Sequence, residues 1–257
     1  MKARRQIAAA RTPDGSDLLL YQRDDDFLIT VNGKDLMNSR QHESELELAR
    51  LGCAHLADHK APVVLIGGLG MGYTLRQALD LLKADAQVVV GELMDAVVDW
   101  NRVHFGALNG RPLEDTRVII HTGDVVELIK SSRDRFDAIL LDIDNGPHEM
   151  THSGNRRLYS DEGVLACRRA LKKHGCLAVW SAVPSKKFEQ RLMRIGFHVR
   201  RYRASAYKGS KSQSFFVWVA SGAEENLPPG GGAPRTPIKK APSGRRKRRR
   251  GWRSAAK

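Results

Sequence analysis

Residues 63–80, VVLIGGLGMGYTLRQALD, constrain the fold more than any other stretch of this chain. Four apolar residues (Val63, Val64, Leu65, Ile66) run into glycines at 67, 68, 70 and 72. The apolar spacing then turns helical at Leu75, Ala78, Leu79 and Leu82. This reads as strand, tight turn and helix. Glycine lets the backbone turn sharply and approach a ligand closely, and the helix N-terminus offers unpaired N–H groups. A second apolar strand covers residues 87–91 and ends in Glu92. A carboxylate at that point is where nucleotide-binding α/β folds read a ribose diol. The pattern predicts an adenosine-containing ligand held by Gly67, Gly68, Gly70, Gly72 and Glu92.

The rest of the chain continues the alternation. Further strands are predicted at 117–121, 136–141, 176–181, 197–203 and 214–220, with helices at 96–105, 125–131, 160–173 and 186–195. Alternating strands and helices imply a mainly parallel sheet covered on both faces. The count from residue 63 is seven strands, the last two forming an antiparallel edge hairpin. Ligands in such sheets lie over the strand carboxyl ends, at the topological switch. Glu92, Asp124 and Asp142 all fall at strand ends. Upstream, residues 17–31 read as two short strands around a charged turn, Asn32-Gly33 as a tight turn, and 43–56 as a helix. The organisation is therefore 1–60, a β-hairpin region with a lead-in helix; 61–222, a Rossmann-like domain; and 223–257, a disordered tail.

Charge supports that division. The net charge is +14, yet residues 223–257 hold 11 Lys/Arg against 2 Glu. The basic character is mostly a property of the tail, whose Pro, Gly and like charges cannot bury a core. Six consecutive basic residues at 245–250, with Trp252 beside them, suit nucleic-acid phosphates and base stacking through Arg245–Arg253. No apolar run reaches the ~20 residues of a membrane span, so no membrane partner is expected. The basic, alanine-rich start MKARRQIAAAR lacks the apolar core of a signal peptide; an amphipathic transit peptide is the alternative. Cys53, Cys167 and Cys176 have neither paired nor metal-like spacing, which predicts reduced thiols in a cytoplasmic protein.

Three features narrow the ligand. Position 73 is tyrosine, so the turn is not G-x-G-x-x-G. Glu92 closes the second strand, and Gly123-Asp124 follows the third, where an acid can accept from an adenine amino group. Together they point to a sulfonium adenosine, S-adenosylmethionine or its decarboxylated form, over a nicotinamide cofactor. In order and spacing, residues 32–220 resemble the spermidine synthase family of aminopropyltransferases. The matching pieces are the glycine turn leading into Leu75-Arg76, Glu92, Gly123-Asp124, the run 136–142 (FDAILLD), Leu158-Tyr159-Ser160 and Tyr207. The resemblance implies a small N-terminal β-region before a Rossmann-like domain. It implies decarboxylated S-adenosylmethionine as aminopropyl donor and a diamine, a small-molecule amine, as acceptor. It also implies Asp142 as the residue that deprotonates the attacking amine, acceptor contacts from Tyr207 and the 144–149 loop, and a homodimer.

The departures cluster on the acceptor side. Gly70 stands where the family has an aspartate, and Asn145-Gly146 where it has aspartate and proline. Leu36 and Glu45 stand where it has glutamine and tyrosine. Asp144, Asn145 and Glu149 become the substitute acceptor contacts. His148-Glu149-Met150-Thr151-His152 fits H-E-x-x-H, but flanking Gly146-Pro147 and Gly154 leave too short a helix, so no metal is expected. The leading expectation is aminopropyl transfer. The alternatives are methyl transfer from S-adenosylmethionine and a non-catalytic protein that binds nucleic acid through its tail.

Overall fold

The computed structural model describes residues 3–143, 156–207 and 214–238. Two sheets organise them. Four antiparallel strands, β1 (Arg5–Arg11), β2 (Asp17–Arg23), β3 (Asp26–Val31) and β4 (Lys34–Asn38), form a meander in chain order. The sequence predicted only the middle pair. β1 is Ala- and Arg-rich and mostly exposed, so it lacks the apolar alternation that marks a strand; pairing such as Ala9↔Leu19 holds it on β2. Helix α1 (Glu43–Cys53) follows and packs on the large sheet, not on the small one. A Cβ at Gly52 would lie 3.0 Å from both Ala178 Cβ and Leu140 Cγ, so the missing side chain lets the helix sit down on the strands.

The large sheet is built from β5 (Val63–Gly67), α2 (Tyr73–Leu81), β6 (Gln87–Glu92), α3 (Asp95–Trp100), α4 (Gly106–Asn109), β7 (Val118–Thr122), α5 (Val125–Ser131), β8 (Phe136–Leu141), α6 (Arg156–Tyr159), α7 (Asp161–Ala170), β9 (Leu171–Ser181), α8 (Lys186–Ile195), β10 (His198–Ser205) and β11 (Ser214–Ser221). Its strand order is β10-β11-β9-β8-β5-β6-β7. Strands β5 to β9 run parallel, and β11 and β10 return antiparallel. This is the predicted seven-stranded, mainly parallel sheet with an edge hairpin. β8 is buried along its whole length, as a central strand covered on both faces must be. Its one charge, Asp137, accepts from Lys172 Nζ at 2.6 Å and from the Val63 N–H at 2.8 Å. One core lies between the sheet and α1–α3, including Leu48, Leu75 and Phe105; the other lies under α5, α7 and α8, including Ile129, Phe188 and Trp218. Cys53, Cys167 and Cys176 are free and buried. No helix among the described residues is long and apolar enough to cross a membrane.

Three boundaries differ from the sequence expectation. The helix predicted to reach 173 stops at Ala170, because Leu171 is extended and pairs with Phe136. The helix predicted to end at 105 continues to Asn109 through a π-turn over Asn101–Phe105. The tail boundary at 223 also moves. Residues 224–238 lie along β10: Leu227 is buried, Tyr202 Oη donates to the Pro228 carbonyl at 2.5 Å, and Arg235 exchanges backbone hydrogen bonds with Val199 at 2.8 and 2.9 Å. A Pro/Gly-rich segment needs no core of its own when it pairs with the last edge strand of a sheet, and that edge is thereby covered.

Candidate active site

The chain leaves β5, builds β6 and β7 on one side, and returns to β8 on the other. β5 and β8 are thus neighbours at the topological switch, and a cavity of about 550 Å³ opens above their carboxyl ends. That volume lies within the usual range for a small-molecule site. The small sheet walls the cavity opposite, through Leu18, Ile29, Val31, Leu36 and Met37.

The glycine turn forms the floor. The Gly68 N–H donates to the Gly91 carbonyl and the Asp142 N–H to the Gly67 carbonyl, both at 2.9 Å, which stitches the ends of β5, β6 and β8 together. Gly68 has φ +90°, and a Cβ there would sit 2.3 Å from the Asp142 carbonyl oxygen. Gly70 has φ +52° and lies under the end of the Met37 side chain. Both line the cavity. Gly67 and Gly72, predicted as ligand contacts, do not. Gly67 packs against Leu141 and Ile143, and Gly72 precedes α2 where Asn101 and Asn109 close in. Those asparagines reach the turn from the π-turn and α4: Asn101 Nδ2 donates to the Gly70 carbonyl at 2.8 Å and Asn109 Nδ2 to the Met71 carbonyl at 2.5 Å. An extra residue in the helix re-aims the side chains that follow it, a common use of π-turns at functional sites.

Glu92 ends β6 at 8 % exposure. Its carboxylate accepts from the Leu69 N–H at 2.8 Å and the Met94 N–H at 2.9 Å, bracing the glycine turn while keeping further lone pairs at the cavity. Burial pushes its pKa up, and the N–H bonds from Leu69, Met94 and Leu93 pull it back. Asp124 caps α5 by accepting from the Val126 N–H at 2.8 Å, and its other oxygen accepts from Arg157 at 2.5 Å. Both oxygens therefore already have protein partners, and Arg157 is a contact the sequence did not signal.

Asp142 follows β8, half-buried, and accepts from the Thr74 hydroxyl at 2.6 Å. Burial raises its pKa and the Thr74 bond lowers it, with burial the larger effect. Tyr207 does not line the cavity. It is 40 % exposed and accepts from Gln41 Nε2 at 2.5 Å, so it reaches the site only through Gln41, which does line it. Asp144, Asn145, Glu149, the H-E-x-x-H run and Arg245–Arg253 lie outside the described residues. Among the described residues, no group of His, Cys, Asp or Glu is arranged to hold a metal.

Five carboxylates line the cavity: Asp35, Glu45, Glu92, Asp124 and Asp142. No Lys, Arg or His does among the described residues. Such a lining favours a cation. Asp35 was missed as a site residue because an acid on an edge strand is ordinary surface chemistry, and Glu45 entered only as a departure from the resembled family on the acceptor side.

The family model described as "Spermine/spermidine synthase domain" matches residues 48–194, more than half of the chain. The chain belongs to the spermine/spermidine synthase family. Curated relatives agree: a polyamine aminopropyltransferase of Prochlorococcus marinus (strain MIT 9312) is 31 % identical over 128 residues, covering 49 % of this chain and 43 % of that protein. One of Saccharolobus solfataricus is 27 % identical over 126 residues, covering 49 % and 40 %. The chain spans about half the length of the curated relatives it matches. The spermidine synthase of Thermotoga maritima superposes with a TM-score of 0.68 at 20 % identity, covering 88 % of this chain and 76 % of that one. A spermidine synthase in complex with the transition-state analogue AdoDATO gives 0.68 at 19 %. These superpositions establish a shared spermidine synthase fold.

Proposed function

We propose that this protein transfers an aminopropyl group from decarboxylated S-adenosylmethionine to an amine acceptor. The observation that carries the reading is the cavity lining of five carboxylates with no Lys, Arg or His among the described residues, in a spermine/spermidine synthase family member. Both substrates are cations, a sulfonium with a primary ammonium and a protonated amine, and a concave acidic site concentrates them. The remaining Glu92 lone pairs accept from the ribose hydroxyls. The Asp124 side of the cavity receives the adenine amino group. Gly68 and Gly70 give the donor chain room to lie against the backbone.

Asp142 handles the acceptor. A protonated amine has no lone pair, so a carboxylate must take its proton before attack. Burial holds Asp142 above the ordinary carboxylate range, which makes it a better base, and Thr74 fixes its orientation. The amine nitrogen then bonds to the propyl carbon beside sulfur. The carbon–sulfur bond breaks, sulfur keeps the pair, and 5′-methylthioadenosine leaves as a neutral thioether. The reading predicts 5′-methylthioadenosine from the decarboxylated donor and a diamine, detected by mass spectrometry. S-adenosylhomocysteine formed from intact S-adenosylmethionine, without 5′-methylthioadenosine, would contradict it. One observation favours that second reading, methyl transfer: Gly70 stands where the resembled family has an aspartate, so no acid there opposes the carboxylate of an intact donor.

A further inference from the structure

The acid density beside Asp142 exceeds what one proton transfer needs. Glu45, in the first turn of α1, faces the same cavity and accepts from the Ser44 hydroxyl at 2.6 Å. Thr74 sits between Asp142 and the start of α1: its hydroxyl lies 2.6 Å from Asp142 Oδ2 and 3.4 Å from the Glu45 backbone carbonyl oxygen. Burial and the charge of Asp142 both raise the Glu45 pKa. Asp142 at the end of β8 and the Tyr73 phenol on α2 face Glu45, and Asp35 of β4 shares the cavity. No Lys, Arg or His among the described lining residues compensates them. Burial and the shared cavity make ionising both carboxylates costlier than ionising either alone. Leu36 and Met37 supply an apolar wall in the same cavity.

We propose that Glu45 is the acceptor-selecting residue: with Asp142 it holds the ammonium end of an aliphatic amine, whose hydrocarbon lies against Leu36 and Met37. This rests on the reading of the cavity as an amine-alkylating site. Entry of the cation supplies the missing counter-charge, Glu45 ionises, and one proton leaves the protein for each ammonium bound. When the bound nitrogen attacks, its own proton passes to Asp142.

The test is calorimetric titration of the full chain near pH 7 with 1,4-diaminobutane, butylamine and butanol, in two buffers of different ionisation enthalpy. Both amines bind and butanol does not, and amine binding releases up to about one proton. Glu45→Gln weakens amine binding roughly tenfold to a hundredfold, the loss of one charge-assisted hydrogen bond, and removes most of the proton release. In turnover the same variant raises KM far more than it lowers kcat. Unchanged affinity and proton release in Glu45→Gln overturn the proposal. Should that variant fail to fold, the wild type alone decides: no amine binding, or binding without proton release, overturns it equally. A separate titration with 5′-methylthioadenosine keeps the two readings apart. Nucleoside binding without amine binding removes Glu45 alone. Amine-linked proton release without any 5′-methylthioadenosine formation removes aminopropyl transfer and leaves Glu45 as an amine-binding residue.

Discussion

Asp142 and Gly68 share one small volume, and each constrains the other. The Asp142 N–H is bound to the Gly67 carbonyl, and the Asp142 carbonyl occupies the space a Gly68 side chain would need. Asp142→Asn keeps the shape and removes the base, so kcat falls by roughly 10²–10⁴-fold. Donor affinity, measured by calorimetry, stays near wild type. Gly68→Ala acts oppositely. A Cβ at 2.3 Å from a backbone oxygen, at φ +90°, forces the two strand ends apart. It costs on the order of 1–3 kcal/mol and donor binding is lost with it. Retained donor affinity in Gly68→Ala would contradict this account of the turn. The titration of Glu45 gives a third prediction. Its folded pKa lies above the usual carboxylate value, so the folded state holds more protons than the unfolded chain. Its contribution to stability is complete below about pH 4.3, the unfolded value, and is lost as pH rises through the folded one. Thermal midpoints of the unliganded protein then fall less steeply in Glu45→Gln than in wild type between pH 5 and 8; equal slopes would refute it. Asp142 and Glu92 line the cavity, and their place at strand ends was legible because an acid closing an apolar strand is a strong signal. Glu45 was legible only as a departure from the family pattern; its raised pKa was not, because the Asp142 charge that helps raise it lies almost a hundred residues away in sequence.

Among elements, those with an apolar period were legible and those held by pairing alone were not. β5, β6 and β8 are dominated by apolar residues, and the presence of a mainly parallel sheet was legible from them. β1 and the strap over residues 224–238 are held by main-chain hydrogen bonds to an existing edge, and neither carries a pattern of its own. The strap is also pinned by charge: Glu189, 1 % exposed, accepts from Arg201 Nη1 at 3.0 Å and Trp218 Nε1 at 3.1 Å, while Arg235 lies 3.1 Å away. A chain ending at 222 loses the Leu227 burial, worth about 1.5–3 kcal/mol, and exposes β10. Its Tm should fall by several degrees, at roughly 2–4 °C per kcal/mol for a domain of this size, whereas a chain ending at 238 should melt with the full protein. Equal midpoints for the two truncations would show that the strap adds nothing. The π-turn was likewise unreadable, since one extra residue per turn leaves helical periodicity nearly intact, yet it delivers Asn101 and Asn109 to the glycine turn.

At the scale of the molecule, charge is sorted by place. The sequence carries +14 overall, while the cavity over the sheet is lined by five acids. The small sheet walls that cavity with Leu18, Ile29, Val31, Leu36 and Met37 and adds one of the acids, Asp35. Of the residues expected at the donor, Gly68, Gly70, Glu92 and Asp124 line the cavity. The opposite wall of the cavity was harder to read, because it brings together α1, β4 and the end of β8, which no local pattern links. The most direct test of the account is the thermal midpoint of the full chain with decarboxylated S-adenosylmethionine and, separately, with intact S-adenosylmethionine. An acid-lined site predicts that the decarboxylated, more cationic donor binds more tightly; at ~100 times its dissociation constant it should stabilise by about 2.7 kcal/mol. Equal or greater stabilisation by intact S-adenosylmethionine, or no shift with either, would contradict it.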